Sequence, residues 1–165
     1  MEGTALSAGT TGLQRRLGDC MMKTAKVSYQ LASALESVET AAKAAGELAA
    51  QCGFSEEIRF GIDLAVREAT VNAIRHGNQF DAAKQVTLSF ETTPEQLTIK
   101  VRDEGKGLDP AIVPDPLAPE NVFKGSGRGL LLMRTFMDKV EVANLAPGTE
   151  ITLTKFLRPA AGGTQ

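Results

Sequence analysis

A chain of 165 residues and 17.5 kDa is long enough for one domain with a buried core. Its 42% hydrophobic and 23% charged residues are ordinary for a globular protein, and a formal net charge of −2 offers no basic field to nucleic acid or to an anionic membrane. No apolar run approaches the roughly 18 residues of a bilayer span, and Cys20 and Cys52 match no metal or redox spacing, as expected of a cytoplasmic protein with reduced thiols.

Residues 1–22, rich in Gly, Thr, Ser and Ala without periodicity, read as a flexible arm. Arg15-Arg16 is not followed by the apolar core and cleavage site of an export signal. A folded domain is expected over residues 23–158, with a flexible tail over residues 159–165.

The domain opens with a strand over residues 24–31, where Ala25, Val27, Tyr29 and Leu31 alternate with polar residues. Ser33 with Glu36 has the spacing of a capping box, opening a helix whose apolar positions include Leu35, Val38, Ala42, Ala45 and Leu48. Gly53 suits its C-terminal cap. A second helix is expected from near Ser55 to about His76, stopping at Gly77-Asn78, with Ile58, Ile62, Ala65, Ala69 and Ala73 as its buried stripe. Glu68 and Asn72 lie about 40° apart on that helix, along one margin of the stripe, and so can face a cleft.

Strands over residues 85–91 and 96–102 follow, joined by a turn at Thr93-Pro94-Glu95. Residues 104–126 hold Pro110, Pro114, Pro116 and Pro119, which rule out a continuous helix or central strand there. A third helix over residues 129–138 and strands over 140–143 and 149–157, flanking a Pro147-Gly148 turn, complete the order β-α-α-β-β-α-β-β. That order predicts a two-layer α/β (α+β) sandwich, with a mixed, mainly antiparallel sheet and helices on one face.

Three short stretches carry chemistry. Glu68-Ala-Thr-Val-Asn72 places a carboxylate and a carboxamide one helical turn apart, a proton acceptor beside a neutral oxygen ligand for Mg²⁺. Asp103-Glu-Gly105-Lys-Gly107 puts an acceptor for the adenine amino group at the end of a strand, before glycines that permit close approach of a base. Gly125-Ser126-Gly127-Arg128-Gly129, running into Leu130-Leu-Leu-Met133, offers free amides and the positive end of a helix dipole to phosphates, with Lys124 and Arg128 adding charge. Each alone also fits a bland feature: a solvated helix edge, an Asp-Gly turn, a hinge. In this order they supply the parts of an ATP site. His76 is the only histidine, which excludes a histidine cluster or a Ser-His-Asp triad. It is expected on the inner face as a packing residue.

The ordered set resembles the Bergerat-fold (GHKL) ATPases, and most of all the anti-sigma-factor serine/threonine kinases of bacterial partner-switching systems. Residues 68–77 are similar to that family's N box. Residues 101–110 resemble its first glycine box, and residues 126–138, with the Met137-Asp138 ending, its second. Gly148-Thr149 resembles its closing element, whose threonine lies near adenine. The resemblance implies Glu68 as general base, Asn72 as Mg²⁺ ligand and Asp103 as adenine acceptor. It also implies residues 108–126 as an ATP lid whose glycines hold phosphate, a homodimer, and partners that include a STAS-type antagonist and a sigma factor. A nucleotide-gated binding module without catalysis is the alternative. Glu68 argues against it, because a pure binder has no need of the base. A histidine-kinase catalytic domain would require a separate acceptor histidine.

Overall fold

A computed structural model describes residues 24–107 and 125–157, the latter without the side chains of residues 125–127. The expected arm and tail, and most of the expected lid, lie outside the described residues. The element order is β1 (Ala25–Ala32), α1 (Glu36–Gln51), α2 (Glu56–Asn72), β2 (Gln85–Thr92), β3 (Gln96–Arg102), α3 (Gly125–Phe136), β4 (Lys139–Asn144) and β5 (Thr149–Phe156). The five strands form one sheet in the order β1-β2-β3-β5-β4, and every neighbouring pair is antiparallel. No helix among the described residues is long and apolar enough to cross a membrane.

The period-two pattern assigns the faces. Val86, Leu88 and Phe90 of β2, Leu97, Ile99 and Val101 of β3, and Ile151 and Leu153 of β5 are buried beneath the helices. Ser28, Ser89 and Lys100 stand in register on the opposite, polar face. The helical layer is built from small residues: Ala41, Ala45 and Ala49 of α1 and Ala65 and Ala69 of α2 have no exposed surface. The α2 stripe also includes Val66, Thr70 and, just past the helix, Ile74, whereas Ile58 is only partly buried.

Two helix ends follow their sequence signals. Ser55 holds the N-cap of α2, accepting a hydrogen bond from the Ile58 N–H. Past the last turn of α1, Gly53 adopts φ +83°, its N–H bonds the Ala50 carbonyl and the Phe54 N–H bonds the Ala49 carbonyl. That is a Schellman cap. Nothing lies within 4 Å of where a Gly53 side chain would project, so only backbone conformation opposes a larger residue. Gly53→Ala is therefore expected to lower stability by about 1 kcal/mol in urea unfolding, with nucleotide affinity unchanged.

The expected capping box does not form. Leu35 occupies the N-cap of α1 without a side-chain bond. Ser33 Oγ instead donates to the Lys84 carbonyl at 2.6 Å and accepts from Asn78 Nδ2 at 2.8 Å. Buried partners distant in sequence have displaced the local one, and Ser37 ties the chain locally by donating to the Ala32 carbonyl. The end of α2 differs too. Residues Ala73–Gly77 form a π turn, in which the Asn78 N–H bonds the Ala73 carbonyl. The wider turn shifts the side chains that follow around the helix axis. His76 is consequently exposed, contrary to the inner-face expectation, and Asn78 is fully buried.

Helix α3 runs antiparallel to α2. A Cβ on Gly61 would stand 2.6 Å from Phe136 Cδ1, and one on Gly129 would stand 2.8 Å from Glu68 Oε2. These two close contacts are about two turns apart along each helix. Met133 between them is fully buried. The far end of α3 is held by Lys155, whose Nζ donates to the Phe136 carbonyl at 2.9 Å and lies 3.6 Å from Asp138 Oδ1. Asp138 Oδ2 in turn accepts from the Phe156 N–H at 2.7 Å. The Met137-Asp138 ending thereby fixes where α3 meets the sheet.

Candidate nucleotide site

Glu68 and Asn72 project from α2 half-buried, along the margin of its apolar stripe. Opposite them is the backbone of Gly129, with Glu68 Oε2 at 2.8 Å and Asn72 Nδ2 at 3.3 Å from the point a Cβ would occupy. The absent side chain leaves a carboxylate, a carboxamide and the first turns of a helix in direct apposition. The first and third sequence stretches therefore meet in space.

The third stretch is placed differently from the expectation. Helix α3 begins at Gly125, not Gly129, so Gly125, Ser126 and Gly127 belong to its first turn. The N–H groups that a helix start leaves without intrahelical partners consequently fall within the glycine run itself. Arg128 is exposed, Gly129 buried and Leu130 half-buried, packed against the core. Lys124 lies outside the described residues.

Asp103 follows β3 and is only 5% exposed. Its Oδ1 accepts from the Gly105 N–H at 2.9 Å and from the Thr149 N–H at 3.2 Å, while its own N–H bonds the Thr149 carbonyl at 3.0 Å. Thr149, at the start of β5, thus reaches the aspartate through its backbone. Oδ2 points towards Gly77, where a Cβ would overlap the carboxylate. Gly105 packs its α-carbon on the Gly77 carbonyl, and Gly107, at φ +81°, lies against Asn144 Oδ1. Burial pushes the Asp103 carboxyl above its ordinary value, against the opposing pull of the Gly105 and Thr149 N–H groups and of the Lys84 and Arg102 charges.

Asn78 escapes a pattern-based reading because it follows Gly77 as an ordinary stop signal. Its burial depends on the π turn, which hydrophobic periodicity does not reveal. Among the described residues the structure therefore assembles two subsites. One joins Glu68, Asn72 and Gly129, and the other joins Asp103, Gly105, Gly77 and Thr149.

Comparison with known proteins identifies the family. Residues 31–155 match the histidine kinase-like ATPase domain. The serine-protein kinase RsbW of Bacillus licheniformis is 32% identical over 119 residues, which are 67% of this chain and 72% of that protein. The anti-sigma F factor of Bacillus thuringiensis is 41% identical over 101 residues, 58% of this chain and 68% of the relative. A crystal structure of the RsbU and RsbW domains of a Mycobacterium tuberculosis protein superposes with a TM-score of 0.60 at 20% identity, covering 85% of this chain. This chain spans 35% of that longer one, and the likeness concerns the fold. The chain belongs to the histidine kinase-like (GHKL) ATPase family, in the branch of ATP-binding anti-sigma-factor protein serine/threonine kinases.

Proposed function

We propose that this protein transfers the γ-phosphoryl group of ATP to a Ser or Thr hydroxyl of a small STAS-type antagonist. We also propose that it sequesters a further partner such as a sigma factor, with bound ATP or ADP biasing which it holds. The observation that carries the catalytic part is the pairing of Glu68 with Asn72 against Gly129. A carboxylate beside a phosphate-binding helix start repels phosphate, and a role in taking a proton accounts for that unfavourable placement. In transfer, a bond forms from the acceptor oxygen to the γ-phosphorus, the bond from that phosphorus to the β,γ-bridging oxygen breaks, ADP leaves, and Glu68 takes the hydroxyl proton.

Asn72 would hold Mg²⁺ as a single neutral ligand through its carboxamide oxygen, from a half-buried position at the margin of α2. The ion would offset phosphate charge, with phosphate oxygens and waters completing its shell. Asp103 accepts the adenine amino proton, with Gly105, Gly107 and Thr149 shaping the base pocket, and the amides of the α3 start, with Arg128, hold the phosphates. Homodimerisation and a cytoplasmic location accompany this reading by family likeness.

The test is copurification of partners with and without Mg-ATP, followed by mapping of any transferred γ-phosphate. A phosphorylated Ser or Thr on a STAS-type partner is expected. Nucleotide-dependent capture without transfer to any bound partner would favour the nucleotide-gated module instead.

A further inference from the structure

Asn78 has no exposed surface, and its side chain bonds to Ser33, Gln85 and Glu104, two of them distant in sequence. Nδ2 donates to Ser33 Oγ at 2.8 Å and to the Gln85 carbonyl at 2.9 Å, while Oδ1 accepts from the Glu104 N–H at 2.8 Å. Glu104 completes the ring by accepting from the Gln85 N–H through Oε2 at 2.6 Å. Ser33 extends it to the Lys84 carbonyl. Both amide protons and one oxygen lone pair are in use, a pattern that an aliphatic or carboxylate side chain of similar size does not reproduce.

The location of this knot is informative. Asn78 follows Gly77, and Glu104 follows Asp103. The hydrogen bond between Asn78 and Glu104 therefore staples together the two backbone segments whose contact presses Gly77 on the Asp103 carboxylate and on Gly105. On its other side the Asp103 turn is held by Thr149 of β5. Without Asn78 the turn keeps Thr149 on one flank and, on the other, only the flexible Glu104 side chain on the Gln85 N–H, with no tie to the segment that carries Gly77.

We propose that Asn78 is a positioning residue for purine recognition, fixing the direction of Asp103 Oδ2 so that the protein distinguishes adenine from other purines. This rests on the reading of Asp103 as the adenine acceptor. A residue that acts only on overall stability would weaken all nucleotides alike. One that aims the acceptor weakens only the nucleotide whose amino group the acceptor reads.

The experiment titrates Mg-ATP and the Mg complex of purine riboside triphosphate, which lacks the 6-amino group, into wild type and Asn78→Ala, with affinities referred to the folded fraction. Wild type is expected to prefer ATP by about tenfold or more, the ratio that one well-aimed hydrogen bond supplies. Asn78→Ala should lose most of that preference through weaker ATP binding, with the analogue changed by less than about twofold. Equal loss for both nucleotides, or an unchanged preference, overturns the assignment of Asn78 while leaving Asp103 as acceptor. No preference in wild type overturns the acceptor reading and this inference with it. If Asn78→Ala does not fold, Ser33→Ala removes one partner of Nδ2 and the link to Lys84. It is then expected to lower the preference about threefold, and an unchanged preference overturns the proposal.

Discussion

Glu68→Gln is expected to slow phosphoryl transfer by about 10²–10⁴-fold, the range associated with removal of a general base, while Mg-ATP affinity stays close to that of wild type. The substitution keeps size and hydrogen-bonding capacity beside Gly129, so the packing of α3 on α2 is preserved. Only the ability to take a proton is lost. Asn72→Ala is the informative contrast, because it removes the proposed Mg²⁺ ligand and should weaken Mg-ATP binding itself. Single-turnover transfer of labelled γ-phosphate, with calorimetry on the same preparations, separates the two effects. Undiminished transfer by Glu68→Gln would remove Glu68 from the proton step.

Asp103→Asn is expected to reduce ATP affinity by about tenfold or more, because an amide nitrogen brought to the adenine amino group leaves two donors facing each other in a buried pocket. The same acceptor faces an oxo group in GTP, so wild type should bind GTP poorly, and comparable calorimetric affinities would contradict the assignment. The buried carboxyl adds a pH signature. Burial raises its pKa in the folded protein, so above that value the unneutralised carboxylate costs stability, and protonation relieves the cost as pH falls through the raised pKa. Protonation also removes the acceptor. On acidification, ATP affinity should therefore begin to fall at a higher pH than an ordinary aspartate would give, while the contribution of Asp103 to stability improves. Asp103→Asn should lack both trends.

Much of this fold was legible because simple periodicities govern it. The five expected strands lie within about a residue of the observed ones, and β3 at its observed bounds, helped in β2, β3 and β5 by one buried face. The start of α2 was legible from Ser55, and its core stripe from Ile62, Ala65 and Ala69. The chemical stretches were legible because carboxylate, carboxamide and glycine at those spacings have few joint uses. Their meeting was not. That Gly129 abuts Glu68, and that Gly77 abuts Asp103, depends on helix packing and on backbone approach across segments distant in sequence.

The misreadings have a common physical origin. Ser33 carries a local capping signal, yet its hydroxyl is committed to Lys84 and Asn78. Glycine before apolar residues suggested a loop over residues 125–128, yet the helix begins there, its far end fixed by the ties of Phe136 and Asp138 to β5. The π turn after Asn72 moves His76 out and Asn78 in, and no regular period encodes a single widened turn. In each case a tertiary hydrogen bond or packing contact outweighed a local preference worth about 1 kcal/mol.

The most direct measurement is a crystal structure of the protein with Mg²⁺ and a non-hydrolysable ATP analogue. The adenine amino nitrogen is expected within hydrogen-bonding distance of Asp103, the metal on the Asn72 amide oxygen, and the triphosphate along the start of α3 with Glu68 facing its γ-phosphate. The open face of the sheet offers the competing location, in hollows of about 390 and 640 Å³ that share Ser89, Lys100 and Glu150. Nucleotide bound there, or adenine turned away from Asp103, would contradict the account.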